Sequence, residues 1–355
     1  MIQVTQPYLP KVEKYEKYLK RIYDSKWLTN NGQLVQELQA NLCDYLKVKN
    51  LLLVCNGTIA LNIAYKLLKI KKSVITTPFS FVATTSSLNW DGIEVDFSDI
   101  DPDTFNLDPI KLANHPEGNH DAVLPVHVFG NACEVEEIER ISKEKDLKVI
   151  YDAAHAFGVK YKGQSVLNFG DISTLSFHAT KLFHTVEGGG LVIKDNDLFE
   201  ESKELINFGL DKNGIINGTG INAKMSEFHA AMGLAMLEEI DEIILRRKNI
   251  VNHYKQELKG IYAFQKLNTN ATANNSYFPI LFKNEEMLRE FQKKLNQENI
   301  FPRRYFHPSL ETLSYVKDSF DMRSSSDISK RVLCLPLYAA LKDEDIKKII
   351  NILKL

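Results

Sequence analysis

The chain is poor in cysteine and contains no long apolar run. Its four cysteines are scattered over 355 residues without a CxxC pair, a spacing that predicts neither a disulfide framework nor a zinc site. No apolar stretch approaches the roughly 18 residues that cross a bilayer, and the opening stretch MIQVTQPYLPKVEKYEKY lacks the apolar core of a signal peptide. We therefore expect a cytoplasmic protein in a reducing compartment, with no membrane partner.

An excess of positive charge is also missing. Lys and Arg number 44 against 46 Asp and Glu, which gives a formal net charge of −2 and predicts no nucleic-acid partner. Neither a G-x-S-x-G elbow nor a P-loop is present. His115, His120 and His127 lack the i,i+4 spacing of helical zinc ligands, so no metal site is predicted.

What the sequence does contain is a regular alternation of apolar strands and helical segments. LLLV (51–54), SVITTPF, AVLPVHVF and LKVIYDAA read as strands among helical stretches, which predicts an α/β fold with a mostly parallel sheet between helices. The length exceeds what one core usually supports. We expect a large domain over residues 1–240 and a smaller C-terminal α/β domain over 241–355, with the amphipathic run 225–258 connecting them or supporting a subunit interface.

Two charged residues lie at positions where they could take part in catalysis or ligand binding. Lys181 lies in LSFHATKLFHTVEGGG, between a strand-like segment and a glycine run. A lysine in such a loop is usually a surface charge, but a partly desolvated lysine is a nucleophilic amine. Asp152, in VIYDAAHAFG, follows a strand and would either cap the next helix or line the ligand crevice at the strand ends.

Two strand–helix junctions and one glycine motif each allow two readings. VCNGTIAL places Thr58 at a turn that either binds a phosphate at the helix N-terminus or only caps the helix. Phe81 would either cover a planar cofactor or belong to the core. GTGINA (218–223) fits the dinucleotide pattern G-x-G-x-x-G/A, but it follows no central strand and lacks the acidic residue about 20 positions on, which disfavours a nicotinamide dehydrogenase.

Together these segments resemble the DegT/DnrJ/EryC1/StrS family of sugar aminotransferases. The motifs NGT, TTPFSFVAT, DIDPDTFNLD, VLPVHVFGNACEVEEI, VIYDAAHAFG, LSFHATKLFHTVEGGG and GINAKMSEFHAAMGL occur in the family's order. The resemblance runs from WLTNNG (27–32) to CLPLY (334–338). It implies the fold-type-I architecture of enzymes that use pyridoxal 5'-phosphate (PLP).

The resemblance also implies roles for individual residues. Lys181 would form the Schiff base with PLP, Asp152 would pair with the pyridine nitrogen, and His155 would contact the ring hydroxyl. The remaining implied contacts are Gly57, Thr58 and Ser176 to the phosphate, Phe81 stacked on the ring, Asn222 to the phosphate in the neighbouring subunit, and Thr29, Asn30 and His307 on the substrate side. The Asn222 contact implies a homodimer with shared active sites. The roles of His178 and His184 stay open.

The implied activity is amino transfer from L-glutamate to a nucleotide-linked keto sugar. A dehydratase branch of the family carries histidine at the position of Lys181, so the lysine indicates a transaminase. SFHATKLFHTVEGG with WLTNNG is most similar to members that convert dTDP-4-keto-6-deoxy-D-glucose to dTDP-4-amino-4,6-dideoxy-D-glucose for O-antigen or other surface glycans. The alternatives are a C3 aminotransferase acting on a dTDP-3-keto-6-deoxyhexose and a non-catalytic PLP-binding regulatory protein.

Overall fold

The computed structural model describes residues 1–316 and 321–355. Its helices are α1 (Val12–Ser25), α2 (Gln33–Leu46), α3 (Gly57–Leu67), α4 (Ala83–Trp90), α5 (Pro109–Ala113), α6 (Val135–Glu144), α7 (Asn196–Leu205), α8 (Glu227–Leu237), α9 (Ile240–Leu258), α10 (Glu285–Gln297), α11 (Arg323–Arg331) and α12 (Asp343–Leu353). Its strands are β1 (Ile2–Gln3), β2 (Leu51–Val54), β3 (Ser73–Thr76), β4 (Glu94–Phe97), β5 (His120–Leu124), β6 (Lys148–Asp152), β7 (Lys160–Tyr161), β8 (Gln164–Ser165), β9 (Ile172–Ser176), β10 (Gly189–Ile193), β11 (Ala263–Phe264), β12 (Pro279–Leu281), β13 (Ile300–Phe301) and β14 (Val332–Cys334).

A seven-stranded sheet in the order β2-β10-β9-β6-β5-β3-β4 forms the centre of the molecule. Strand β10 runs antiparallel to both of its neighbours, whereas the pairs from β9 to β4 are parallel. The prediction of an α/β fold with a mostly parallel mixed sheet between helices is therefore confirmed.

The apolar run LLLV shows why the strands lack a polar face. All four residues of β2 are buried, because helices cover both sides of the sheet. Leu51 and Leu53 join a core with α2, α6 and α8 on one side, while Leu52 and Val54 join a core with α3, α4 and α7 on the other. Successive side chains of a strand point to opposite faces, so one continuous apolar run supplies two cores.

A separate core lies in the C-terminal part of the chain. It combines α9, α10, α12 and the three-stranded sheet β11-β12-β14, and Ile2 of β1 packs into it because β1 pairs with β13. Helix α9 connects this C-terminal core (the small core) to the core that contains α2, α6 and α8 (the large core). Ile240 and Ile243 pack into the large core, and Ile250 and Tyr254 pack into the small core. The expected boundary at residue 240 stays a prediction. Within the described residues, no helix is both long and apolar enough to span a membrane.

The carboxyl ends of the parallel strands meet at one edge of the central sheet. Val54, Asp152 and Ser176 end β2, β6 and β9, and Gly189 begins the antiparallel β10 beside Val54 and Ser176. A Cβ atom on Gly189 would lie 2.5 Å from the carbonyl carbon of Asn56, so only glycine lets β10 approach the turn that starts α3. This close approach brings the ends of β2, β9 and β10 together.

The N-terminus of α2 is held by a buried carboxylate from another helix. Glu227, the first residue of α8, accepts the N–H groups of Leu34 and Val35 at 2.9 Å each and is 2% exposed. Helix N-terminal amides have no partner within the helix and carry partial positive charge, so the carboxylate satisfies two of them. Glu227 thereby fixes α2 and the segment that precedes it.

Replacing Glu227 tests this anchor. Because two charge-assisted hydrogen bonds are lost, Glu227→Ala should lower the free energy of unfolding by about 2–3 kcal/mol, measured from urea unfolding curves. Glu227→Gln keeps one acceptor oxygen and should fall between the wild type and the alanine variant. Equal unfolding midpoints for the wild type and Glu227→Ala would contradict the role.

Candidate active site

A cavity of about 310 Å³ opens at the carboxyl edge of the central sheet. Its volume falls within the range of small-molecule sites. The residues that line it are Asn56, Gly57, Thr58, Leu61, Ser80, Phe81, Ala83, Val126, Asp152, Ala154, His155, Thr174, Leu175, Ser176, His178, Thr180, Lys181, Glu187, Tyr277, Arg303, Tyr305 and Phe306. The cavity is therefore lined by seven of the eleven residues expected from the sequence, with Lys181 and Asp152 facing the same space.

Asp152 forms the buried acidic end of the cavity. Its carboxylate accepts the N–H of Ala154 at 3.1 Å and the hydroxyl of Thr84 at 3.0 Å, and the residue is 7% exposed. The hydroxyl of Ser80 lies 2.7 Å from that of Thr84 and extends the chain of hydrogen bonds. Burial raises the pKa of Asp152, while the Ala154 N–H, the charge of Lys181 and the Thr84 hydroxyl act to lower it. These neighbours favour the charged carboxylate against the cost of desolvation.

Lys181 carries an amine in a desolvated setting. Burial lowers the pKa of Lys181 from 10.5 to about 8, although the nearby charge of Asp152 acts to raise it. Its backbone N–H donates to the carbonyl of His178 at 2.8 Å, which fixes the loop after β9. Near pH 8 a substantial fraction of the amine is neutral and nucleophilic, so Lys181 differs from an ordinary surface lysine.

His155 is fixed in orientation and protonation. The N–H of Phe129 donates to Nδ1 of His155 at 3.2 Å, so in the neutral ring the proton lies on Nε2. Burial, with a smaller contribution from Lys181, holds the pKa of His155 well below its ordinary value. The ring lies nearly parallel to those of Phe129 and Phe306, with centroids 6.3 and 5.8 Å away. His155 therefore presents a neutral N–H donor.

The N-terminus of α3 forms the other end of the cavity. Asn56 caps the helix through Ile59 N–H, and the amides of Gly57 and Thr58 belong to the first turn, where helix amides have no partner within the helix. A Cβ on Gly57 would lie 2.9 Å from Cβ of Ser176, so the hydroxyl-bearing end of β9 lies directly beside this turn. Such a turn with a neighbouring hydroxyl suits a phosphate group.

Phe81 flanks the space between the two ends of the cavity. Its ring is 47% exposed and lines the cavity, so the structure places it outside the buried core. An exposed aromatic face beside a cavity offers a stacking surface for a planar ring. Taken together, the cavity suits a flat, phosphorylated group with a basic ring nitrogen near Asp152 and a carbonyl near Lys181.

Four of the expected residues lie outside this cavity. Thr29 and Asn30 are exposed, and Asn30 instead lines a larger cavity of about 970 Å³ between α2 and α7. Asn222 is exposed and bridges Asn207. His307 is exposed, with Nδ1 3.3 Å from the hydroxyl of Ser329, whereas its neighbour Phe306 lines the cavity. The substrate roles of Thr29, Asn30 and His307, and the partner-subunit role of Asn222, stay predictions.

The two histidines that flank Lys181 have different surroundings. His178 lines the cavity, with Nδ1 2.8 Å from the hydroxyl of Thr180 and Nε2 3.6 Å from the carboxylate of Glu187. His184 is buried: its Nδ1 accepts the N–H of Val186 at 3.2 Å, and its Nε2 lies 2.6 Å from the carbonyl of Tyr8. His184 therefore ties the loop after Lys181 to the N-terminal segment.

Sequence reasoning missed several residues of the site. Thr84 and Ser80 support Asp152, while Tyr277 and Arg303 line the cavity from the C-terminal part of the chain. The stretch SFVATT, which contains Phe81 and three hydroxyl side chains, was the available signal for Thr84. No comparable local pattern marks Tyr277 or Arg303, because each enters the site only through the packing of the two parts of the chain.

The lowered pKa of Lys181 has a consequence for stability in the cofactor-free protein. Between about pH 8 and 10.5 the amine of Lys181 has lost its proton in the folded chain but keeps it in the unfolded chain. The free energy of unfolding should therefore rise with pH in this window. Lys181→Met removes the buried ammonium and should therefore unfold at a higher temperature than the wild type at pH 7. The difference should shrink as pH rises through the window, measured by thermal unfolding of both proteins. A difference that does not depend on pH would contradict the prediction.

Comparison with known proteins identifies the family of this chain. The sequence profile of the DegT/DnrJ/EryC1/StrS aminotransferase family matches residues 11–354. A dTDP-4-amino-4,6-dideoxy-D-glucose transaminase of Shigella dysenteriae is 42% identical over 360 residues, covering 99% of this chain and 98% of the relative. An enzyme of the same name from Escherichia coli is 39% identical over 362 residues, with the same coverage of 99% and 98%.

The fold is similar to that of solved sugar aminotransferases. The crystal structure of DesI in the presence of its TDP-sugar product matches with a TM-score of 0.94 at 31% identity, covering 99% of this chain and 92% of the DesI chain. The expected fold class is thereby confirmed along almost the full length of the chain. This chain belongs to the DegT/DnrJ/EryC1/StrS aminotransferase family of enzymes.

Proposed function

We propose that this enzyme transfers the amino group of L-glutamate to dTDP-4-keto-6-deoxy-D-glucose, giving dTDP-4-amino-4,6-dideoxy-D-glucose, with PLP as cofactor. Support for the substrate comes from two relatives, 42% and 39% identical over nearly their full lengths, that are dTDP-4-amino-4,6-dideoxy-D-glucose transaminases. The observation that carries the chemistry is the pairing of the amine of Lys181, with its pKa near 8, and the buried carboxylate of Asp152 in one cavity.

The residues of the cavity fit PLP by the chemistry of their donor groups. Asp152 would pair with the protonated pyridine nitrogen, and the Nε2–H of His155 would donate to the ring oxygen. The amides of Gly57 and Thr58 and the hydroxyl of Ser176 would bind the phosphate, since the helix N-terminus favours an anion. When bound, PLP supplies an electron sink that makes the hydrogen on the donor's α-carbon acidic.

The chain's own groups then move and hold protons. Nζ of Lys181, partly neutral near pH 8, would accept the proton from the α-carbon of glutamate and later return a proton to the sugar carbon that receives nitrogen. Ala154, Thr84 and Lys181 favour the charged form of Asp152 against the cost of its burial. Phe81 would cover the reacting group and exclude water from it.

The active unit that we propose is a homodimer. Asn222 lies outside the cavity of its own chain and is exposed, an arrangement that supports a contact to the phosphate site of a second copy. The exposed segment with Thr29 and Asn30 would lie on the substrate side of the same shared site. A cytoplasmic location, expected from the scattered cysteines, is part of the proposal.

Assay of PLP-loaded enzyme with L-glutamate and a panel of keto sugars tests the function. The panel contains dTDP-4-keto-6-deoxy-D-glucose, its UDP- and GDP-linked counterparts and a dTDP-3-keto-6-deoxyhexose, with products identified by NMR. We expect the dTDP-linked 4-amino sugar and an equal amount of 2-oxoglutarate. Lys181→Ala should lower kcat at least about a hundredfold, whereas Lys194→Ala, which changes an exposed lysine outside the cavity, should not.

The other outcomes separate the alternatives. Amination of only the 3-keto sugar would replace the proposal by a C3 aminotransferase. Visible absorption from bound PLP without amino transfer to any sugar in the panel would indicate a regulatory protein. Unchanged turnover in Lys181→Ala would contradict the assigned role of the lysine.

Thr84 offers a test of how Asp152 is kept charged. Thr84→Val removes a hydrogen bond to the carboxylate, so the pKa of Asp152 should rise further and kcat should fall by about tenfold. The acidic limb of the pH profile of kcat should move to higher pH. Thr84→Ser keeps the hydroxyl and should retain both values. Equal losses in the serine and valine variants would indicate that packing, and not the hydrogen bond, matters at this position.

A further inference from the structure

Two imidazoles and a carboxylate meet on the sheet at a place separate from the cavity of Lys181. Asp96 lies on β4, His120 begins β5, and His115 lies in the loop between α5 and β5. Nε2 of His120 is 2.8 Å, and Nε2 of His115 is 3.6 Å, from the carboxylate of Asp96. One ligand atom from each residue lies within 4.8 Å of the others. None of the three lines the cavity of Lys181.

The fold explains why residues so far apart in sequence converge. Strands β4 and β5 lie on either side of β3, and the loop after α5 returns the chain to the start of β5. The imidazoles are almost buried, with 8% and 9% of the His115 and His120 side chains exposed, whereas Asp96 is 27% exposed. The cluster is therefore held by the sheet and remains open on the side of the carboxylate.

The hydrogen-bond acceptors around the ring of His115 favour a metal cation beside its Nε2. Its Nδ1 lies 3.2 Å from the carbonyl oxygen of Pro116, and its Nε2 faces the carboxylate of Asp96. Both ring nitrogens thus face hydrogen-bond acceptors, and a neutral imidazole can donate to only one of them. Either the ring carries two protons, or Nδ1–H donates to the carbonyl and a cation lies between Nε2 and the carboxylate. Donation of the second ring N–H to a backbone carbonyl is the usual arrangement of a metal-binding histidine.

We propose that Asp96, His115 and His120 bind a divalent transition-metal ion, with Zn²⁺ as the best match. Imidazole nitrogens and a carboxylate oxygen are ligands of zinc, and three protein ligands leave a fourth position for water. Zinc lies about 2.0–2.2 Å from such ligands, so shifts of about 1 Å in the side chains would bring all three into contact with one ion.

The ion has a structural role in this position. It joins the loop that carries His115 to two strands of the central sheet, β4 and β5. The same loop is already fixed at two further points: Nζ of Lys145 donates to the carbonyl of His115 at 3.2 Å, and Gly118 lies against the ring of His120 so closely that a Cβ would collide with it. Because metal binding to the folded chain adds to its stability, loss of the ion should loosen this edge of the sheet.

Zinc titration of the chelator-treated holoenzyme tests the proposal. ZnCl₂ is added in equilibrium dialysis and bound metal is measured by elemental analysis, with thermal unfolding recorded on the same samples. We expect one Zn²⁺ per chain and a rise in unfolding temperature. His115→Ala, His120→Ala and Asp96→Asn should each weaken binding by at least about tenfold and abolish the rise. His253→Ala, which changes a histidine on α9 outside the cluster, should keep both.

Cobalt supplies a readout that does not depend on stability. Co²⁺ bound by two imidazoles and a carboxylate should show d–d absorption in the wild type and in His253→Ala, and should lose it in Asp96→Asn. Asp96→Asn preserves the shape of the side chain, and retained PLP absorption would verify that this variant is folded. Absence of saturable zinc binding, or binding that the three variants leave unchanged, would overturn the proposal in favour of an imidazolium–carboxylate pair.

Discussion

Burial of the carboxylate of Asp152 is the constraint on which the rest of the site depends. A buried acid loses its charge unless neighbours stabilise that charge, and an uncharged Asp152 could not hold a protonated nitrogen. The Ala154 amide, the Thr84 hydroxyl and the ammonium form of Lys181 all act in favour of the charge. The same desolvated space lowers the pKa of Lys181, so burial acts on both ionisable groups of the site and favours the neutral form of each.

The end of the cavity at α3 depends on the close approach of backbone segments. Gly189 allows β10 to lie against the Asn56–Gly57 turn, and Gly57 allows that turn to lie against Ser176. A methyl group at either position would separate the strand ends from the α3 amides, although it would remove no polar group. The EGGG stretch is therefore more than a loop near Lys181, because Gly189 and Gly190 belong to β10 of the central sheet.

The sequence predicts best those features that are local to one strand end. Asp152 and the turn with Gly57 and Thr58 each lie where an apolar run stops, so pattern alone marked this edge of the sheet, whereas His155 and Ser176 came only from the family resemblance. Residues that enter from other elements were not marked in this way: Thr84 reaches Asp152 from α4, and Glu227 reaches α2 from α8. The pairing of Ile2 with Ile300 was equally hidden, because a two-residue strand has no periodicity to detect. The cluster of Asp96, His115 and His120 was missed because its spacing arises from strand order, not from a helix.

The segment between β11 and β12 links the two parts of the chain independently of α9. It leaves the C-terminal core after β11, lies against the large part, where Asn274 donates to the carbonyl of His155 at 2.7 Å, and returns to β12. A further attachment is the hydrogen bond from the N–H of Leu310 to the carbonyl of Pro78 at 2.9 Å. Tyr277 and the other side chains that the C-terminal part contributes to the cavity therefore lie on segments that the large part itself holds in place.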